Sequence, residues 1–292
     1  INWPIQHCPY EWRCTHVSVD ALQVFRDHQV RRAELLGQER PGQIMLDEEL
    51  HEFEPVLAEH VRAGFVAHTE RYIDPNLFVD ELHAKLVELG AEILEHTELV
   101  GITNDEATLR CDGAEMTRGF DKAVVATGAW TTPAIRGLES TRKAWVTSGT
   151  GYSYHVRPDR LPGYLLASID RKTIGVPMSG ELRVVGLMDF STEIEEFSPQ
   201  RMDHLASQAS AFIKGIADKP RFKEWTGPRP MTPNGLPIIS PLKTAPDVIV
   251  ATGHNMHGLS LGPVTAEVVV SMVEGKPGIV AGAQIDMKPF AL

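Results

Sequence analysis

The sequence predicts a mixed α/β fold made of two interleaved parts, and three observations carry that prediction. Two short apolar strands, KAVVATG (122–128) and DVIVATG (247–253), each run directly into Ala-Thr-Gly, the look of strands buried in a parallel sheet. A complete helix is spelled out from Asp74, a good N-cap, through Pro75 at the first helical position, to Gly90 just past its end. The stretch 139–229 alternates short strands with turn residues, which suits a mixed antiparallel sheet. The 292 residues suffice to bury a substantial core.

Residues 1–16 show no clear period. VSVDALQVFR (17–26) alternates roughly and reads as a strand, followed by a charged, helix-compatible stretch over 27–40. DEELHEFEPVL (47–57) opens with an acidic turn, as helix N-termini do, and ends at Pro55. GFVAH (64–68) reads as a short strand. Leu77, Phe78, Leu82, Leu86 and Leu89 recur at helical spacing after Asp74, and AEILEH (91–96) reads as a strand that would complete half of a βαβ unit. ELVGI, ATLRC and AEMTR form three further strands, with Asp112-Gly113 as a hairpin turn. A helix is expected near Thr131 to Pro133, a second from Pro199 to Gly215, and a last one from Pro263 to Glu274 with Val264, Val268, Val269 and Met272 on its apolar face.

Composition narrows the function. Asp and Glu number 39 against 28 Lys and Arg, a net charge of −11, which sets nucleic-acid binding aside. Cys8, Cys14 and Cys111 are too few for a disulfide framework and form no CxxC pair; Cys8 and Cys14 read as packed or surface thiols. His254 and His257 are three residues apart but have no third ligand nearby, so no metal is expected. There is no Gly-x-Ser-x-Gly elbow and no apolar run long enough to span a membrane. The chain opens on Ile1 without a secretory pattern and reads as a piece of a longer protein whose beginning is missing. No GxGxxG occurs; Gly149-Thr-Gly151 runs on into Tyr152 and does not complete one.

Three segments carry candidate chemistry. In VVATGAW (124–130), the small residues Ala126, Thr127 and Gly128 at a strand's carboxyl end let a flat or phosphorylated ligand approach the backbone; an ordinary strand-to-helix turn is the competing reading. In VIVATGHNMHGLSLGP (248–263), Gly253, Gly258 and Gly262 punctuate a strand, loop and helix start whose free N–H groups suit an anionic ligand; a tight loop with helix–sheet packing through Gly258 and Gly262 is the competing reading. Arg229, in GPRP, sits between two prolines that stiffen its backbone, so its fork suits a bidentate clamp on a carboxylate; a solvent-exposed loop arginine is the alternative.

Together with LHEFEPVL, YIDPNLFVDELHAKLVELGAEI, GYSYHV, LRVVGLMDF and WTGPRPMTPNGLPIIS, these segments resemble the D-amino acid oxidase/dehydrogenase superfamily of flavoproteins, over roughly residues 17–275. Within it the likeness is strongest to the small subunit of bacterial D-amino acid dehydrogenase, with glycine oxidase and sarcosine oxidase as relatives. The resemblance implies FAD as cofactor. It also implies an FAD-binding α/β domain (68–138 and 230–292, N-terminally truncated) interwoven with a mixed-sheet substrate domain (17–67 and 139–229). Carried over by position, Val100 contacts the adenine through its backbone, and Ala126, Thr127 and Gly128 approach the diphosphate-ribose. Gly253, His254, Asn255, Met256, His257, Gly258 and Leu259 line the flavin and its ribityl chain, and Arg229 binds the amino acid carboxylate. The pattern departs from glycine oxidase at Met256, where that enzyme has Arg, and near Thr173–Ile174, where it has a Tyr.

The activity implied is oxidative deamination of a D-amino acid to a 2-oxo acid and ammonia. A glycine- or sarcosine-type amine oxidase and a non-catalytic partner chain of a flavoenzyme complex are the alternatives. The implied partner is a small amino acid substrate, with the electron acceptor left open. The implied location is cytoplasmic, with peripheral contact at the inner membrane left open.

Overall fold

The computed structural model describes residues 12–16 (backbone), 18–68, 72–136, 138, 146–191, 194 and 196–292. The chain begins with β1 (Trp12–His16), α1 (Val19–Leu36), β2 (Met45–Leu46), α2 (Asp47–Phe53), β3 (Ala63–Ala67) and α3 (Pro75–Glu88). A meander β4 (Thr97–Ile102), β5 (Glu106–Cys111) and β6 (Ala114–Gly119) follows, then β7 (Ala123–Val125), a 3₁₀ turn at Gly128–Trp130 and α4 (Thr131–Ala134). The middle holds β8 (Thr147–Val156), β9 (Leu165–Ser168), β10 (Thr173–Met178), β11 (Glu181–Ser191), α5 (Pro199–Ser210) and β12 (Phe222–Met231). The chain closes with β13 (Ile238–Pro241), β14 (Val248–Thr252), α6 (Gly258–Val273), β15 (Ile279–Val280) and β16 (Ala283–Gln284). This is the mixed α/β fold expected.

The chain divides into two compact units, one of residues 1–91, 151–187 and 196–226, the other of 92–150, 188–195 and 227–292. An eight-stranded mixed sheet has the order β12-β8-β11-β10-β9-β1-β3-β2; its pairings are antiparallel between β1 and β3 and between β10 and its two neighbours, and parallel between β1 and β9. In the first unit Tyr152 and Tyr154 of β8, Leu182 and Val184 of β11, and Met202 and Leu205 of α5 form one dry core. Strand alternation puts these residues on the sheet face that α5 covers. Gly186 permits that closeness, since a Cβ there would lie 2.8 Å from Leu205 Cδ1.

The second unit holds two three-stranded sheets, β13-β14-β7 and β4-β5-β6. Val125 of β7, Val248 and Val250 of β14, and Ile135 are buried together, so these short apolar strands supply its core. Asp112 and Gly113 both have positive φ, +49° and +80°, the geometry of the tight turn predicted between β5 and β6. Among the described residues no helix is long and apolar enough to cross a membrane.

Several local expectations are corrected. VSVDALQVFR is not a strand: Val19 onward is the first half of α1, capped by Ser18, whose hydroxyl accepts from Ala21 N, and closed by Gly37 at φ +62°. Its buried residues, Leu22 and Ala33, keep a helical phase, while Val24, which produced the alternation, is exposed. AEILEH forms no strand; α3 ends with Leu89 as C-cap and Gly90 at φ +86°, and Ile93 and Leu94 lie exposed without a pairing strand. The half βαβ unit is therefore absent there. The last helix starts at Gly258, five residues early, and carries Pro263 inside it. Val264 is exposed; Val268 is buried as expected, with Thr265 and Ser271 completing the buried face. The reading of Cys8 and Cys14 as packed or surface thiols concerns side chains outside the described residues, whereas Cys111 is a free thiol.

Candidate functional site

The two Ala-Thr-Gly segments lie side by side in the second unit. β7 and β14 pair in parallel with Ala123 opposite Val248 and Val125 opposite Val250. Carried onward, that register sets Ala126, Thr127 and Gly128 beside Ala251, Thr252 and Gly253, at the carboxyl edge where open α/β sheets bind ligands. Hydroxyls tie the two together. Thr131 and Thr252, both buried, each reach the Gly128 carbonyl, at 2.8 and 3.1 Å, and lie 3.0 Å from one another. Thr127 donates to Thr131 at 3.2 Å. Gly128 holds φ +56°, and a Cβ there would meet nothing within 4 Å, so the space beside its Cα is open. Gly253 holds φ +74° for a different reason: a Cβ there would fall 2.4 Å from Thr232 Cγ2.

Asn255 binds this edge to the strand that carries Arg229. Its backbone N–H donates to the Pro230 carbonyl at 3.0 Å, and its Oδ1 accepts from Thr232 N at 3.0 Å. Its Nδ2 donates to the carbonyls of Gly253 (2.9 Å) and Gly235 (3.0 Å), with Thr232 Oγ1 at 3.3 Å. Asn255 adopts φ +54°, a left-handed conformation that asparagine tolerates better than most residues. His254 is half-buried, its Nε2 2.8 Å from Thr265 Oγ1, and burial pushes its pKa down, favouring the neutral ring. Met256, His257, Gly258 and Leu259 are exposed at the start of α6, and no side chain caps that helix. Its first N–H groups and the positive end of its dipole therefore face outward.

Arg229 is half-buried near the end of β12. Its Nη1 donates to the Gly149 carbonyl at 3.4 Å and contacts Met188 Sδ at 3.8 Å, and burial lowers its pKa. With Pro228 and Pro230 on either side, it lies within the strand rather than in an exposed loop. Val100 sits apart from these bonds: it is the extra residue of a β-bulge in β4, where pairing skips from Leu99 to Gly101.

The structure adds residues that the sequence reading passed over. Thr131, Thr252 and Thr265 are buried hydroxyls that bond to predicted site residues. Thr252 was in plain view as the middle of the second Ala-Thr-Gly. Gly149 and Met188 meet Arg229 from other strands, and no local pattern links them to it.

Comparison with known proteins agrees with this geometry. Residues 6–272 match the family described as FAD dependent oxidoreductase, DAO, and the chain belongs to that family. Glycine oxidase of Pseudomonas aeruginosa is 26% identical over 235 residues, covering 79% of this chain and 62% of that protein. D-amino acid dehydrogenase of Cereibacter sphaeroides is 25% identical over 186 residues, covering 62% of this chain and 42% of that protein. The crystal structure of glycine oxidase from Geobacillus kaustophilus superposes with a TM-score of 0.80 at 22% identity, over 98% of this chain and 75% of that one. The chain thus spans about three fifths of the length of the first of these relatives.

The residues present suit part of an FAD site. The open space beside the Gly128 Cα, the uncapped start of α6 and the exposed apolar side chains of Met256 and Leu259 suit a flat, anionic group. The glycine-rich phosphate fingerprint is not among the 292 residues.

Proposed function

We propose that this chain is part of an FAD-dependent enzyme that oxidises the Cα–N bond of a free amino acid of D configuration. The observation that supports this best is the Asn255 staple, which joins the Arg229 strand to the loop opening α6. A carboxylate anchor and a cofactor-facing helix start thereby share one rigid frame. Asn255, Met256, His257, Gly258 and Leu259, with Gly253 and His254, would hold the flavin end; Ala126, Thr127 and Gly128 would hold the ribose-diphosphate, and Val100 the adenine. FAD bound there would supply the two-electron oxidant for the Cα–N bond, with hydride leaving Cα and a proton leaving the amine, and water would convert the imino acid to a 2-oxo acid and ammonia.

Arg229 grips the carboxylate and sets which Cα substituent faces the oxidant, so positioning carries the specificity. The N-terminus of α6 offers N–H groups to negative charge that develops nearby. Burial lowers the His254 pKa and disfavours a competing cation there, while its Nε2 lies 2.8 Å from Thr265 Oγ1. The family match over residues 6–272 argues against a non-catalytic partner chain.

A glycine- or sarcosine-type amine oxidation is the second reading. It is favoured by the glycine oxidase relative, which matches more of the chain than the D-amino acid dehydrogenase does. The test is anaerobic bleaching of flavin-loaded, full-length protein with D- and L-amino acids, glycine and N-methyl amines. Bleaching by primary D-amino acids is expected. Bleaching by secondary amines alone transfers the assignment to the second reading, and absence of flavin after reconstitution removes both.

A further inference from the structure

Three adjacent strands shape the surroundings of Arg229, in the order β12-β8-β11. On β12, Arg229 and Met231 are two residues apart and share a face; on β11, Met188 and Phe190 do the same. Between them β8 offers Gly149, with no side chain. A Cβ at Gly149 would lie 2.6 Å from Met231 Cγ and 2.7 Å from Met188 Sδ, so thioethers from both sides lean over the glycine. Arg229 Nη1 is 3.8 Å from the Met188 sulfur and bonds to the carbonyl of that same glycine. Phe190 continues the apolar wall and is 67% exposed. The result is an apolar cup beside a cation, its base closed by two thioethers over a glycine, where an added Cβ would have to push them aside.

We infer that the substrate is an amino acid with a medium or large apolar side chain, lodged against Met188, Met231 and Phe190 while Arg229 holds its carboxylate. The inference rests on the reading of Arg229 as the carboxylate anchor. A carboxylate oxygen lies about 2.8 Å from a guanidinium nitrogen. The α-carbon lies about 1.5 Å beyond the carboxyl carbon. A Cα substituent directed to the Nη1 side of the guanidinium meets the Met188 sulfur, 3.8 Å from that nitrogen. Methionine walls adapt to unbranched and aromatic groups alike, whereas an acidic or amide side chain would be desolvated against them without a partner. Glycine would leave the cup empty.

The experiment measures calorimetric dissociation constants of acetate, butyrate, hexanoate and phenylacetate for flavin-loaded, full-length protein, with the matching primary amides as controls. Turnover of glycine, D-alanine, D-norvaline and D-norleucine is measured alongside. Affinity should rise about fourfold for each methylene buried, and kcat/KM should rise along the amino acid series. Phe190→Ala and Met188→Ala should flatten the slope while acetate binding persists. Gly149→Ala should abolish it, and if that variant does not fold, the two truncations decide. A flat series of carboxylates that still bind through Arg229 overturns the apolar cup and leaves the anchor standing. Amides binding as tightly as carboxylates, or no carboxylate binding at all, removes the anchor and the cup with it.

Discussion

Replacing Asn255 by alanine removes the staple that the site depends on, and the cost can be worked from its bonds. Three side-chain hydrogen bonds at 2.9–3.0 Å disappear, leaving Thr232 N–H and the carbonyls of Gly235 and Gly253 to find other partners. At roughly 1 kcal/mol for each bond, the loss is about 3 kcal/mol, and less where water reaches the exposed Gly235 carbonyl. Alanine must also hold φ +54°, which costs about 1 kcal/mol or more for a side chain with a Cβ. The expected total is about 2–4 kcal/mol, read from urea unfolding followed by tryptophan fluorescence. Asn255→Gly separates the contributions: it keeps the conformation and loses the bonds, so it should recover about 1 kcal/mol over alanine. Asn255→Asp keeps the acceptor for Thr232 N–H but sets a carboxylate against two carbonyls, and should fall near the alanine value. In the loaded protein, carboxylate binding should weaken in Asn255→Ala although Arg229 is untouched. If the alanine and glycine variants both unfold within 0.5 kcal/mol of the parent, within the scatter of neutral substitutions, and bind carboxylates as well as it does, the staple is ornamental and the argument from it fails.

Four further outcomes follow from the same geometry. Gly253→Ala should destabilise by more than about 1 kcal/mol through its positive φ alone, and Thr232→Ser should recover only the part due to the 2.4 Å approach, as thermal unfolding of the single and double variants will show. Arg229→Ala in flavin-loaded protein should lose about 30-fold to several thousand-fold in kcat/KM, from roughly 2–5 kcal/mol, with flavin content unchanged; Arg229→Lys should recover little because the planar fork is gone, and near-parental kinetics would refute the carboxylate role. His254 and His155 are both pushed below the ordinary imidazole range, chiefly by burial, so each binds fewer protons folded than unfolded. Stability should hold above about pH 6.5 and fall on acidification from there, and His254→Gln should remove part of that slope in a pH series of urea midpoints. Asp74→Ala should cost about 1 kcal/mol, since the Asp74 carboxylate caps the Asn76 and Leu77 N–H groups at 2.9 and 3.4 Å; an unchanged unfolding midpoint would refute the cap.

Local chemistry was legible wherever a residue type is forced by its own backbone. Asp74, Pro75 and Gly90 fixed α3, and Asp112-Gly113 fixed the turn between β5 and β6, because caps and primed turns use only near neighbours. The failure at α1 is of the same kind, reversed. Ser18 and Gly37 were both available as its terminal signals, but Val17, Val19 and Val24 suggested alternation where the buried set keeps a helical phase. AEILEH failed because apolar character cannot supply a pairing strand, and nothing in the segment itself says whether one exists. The start of α6 was misplaced because Pro263 was taken as an N-terminal signal. Within a helix already begun at Gly258, it only forfeits the bond its N–H would give to Leu259.

The candidate site shows where legibility stops. That two Ala-Thr-Gly segments exist is visible in the sequence; that they stand in register depends on β7 and β14 pairing in parallel with a constant offset, which the sequence leaves open. Arg229 was conspicuous for its prolines, but what surrounds it comes from strands 80 and 41 residues away. Gly149 is the sharpest case. In the sequence it belongs to a Gly-x-Gly that fails to complete a phosphate loop, and so carries no meaning. In the sheet Met188 and Met231 converge over it, 2.6–2.7 Å from where a Cβ would stand, with Arg229 bonded to its carbonyl. A glycine crowded by side chains on two other strands leaves no trace in its own neighbourhood. The features of this site most open to test, the cup and the staple, are therefore the ones that only the assembled sheet exposes.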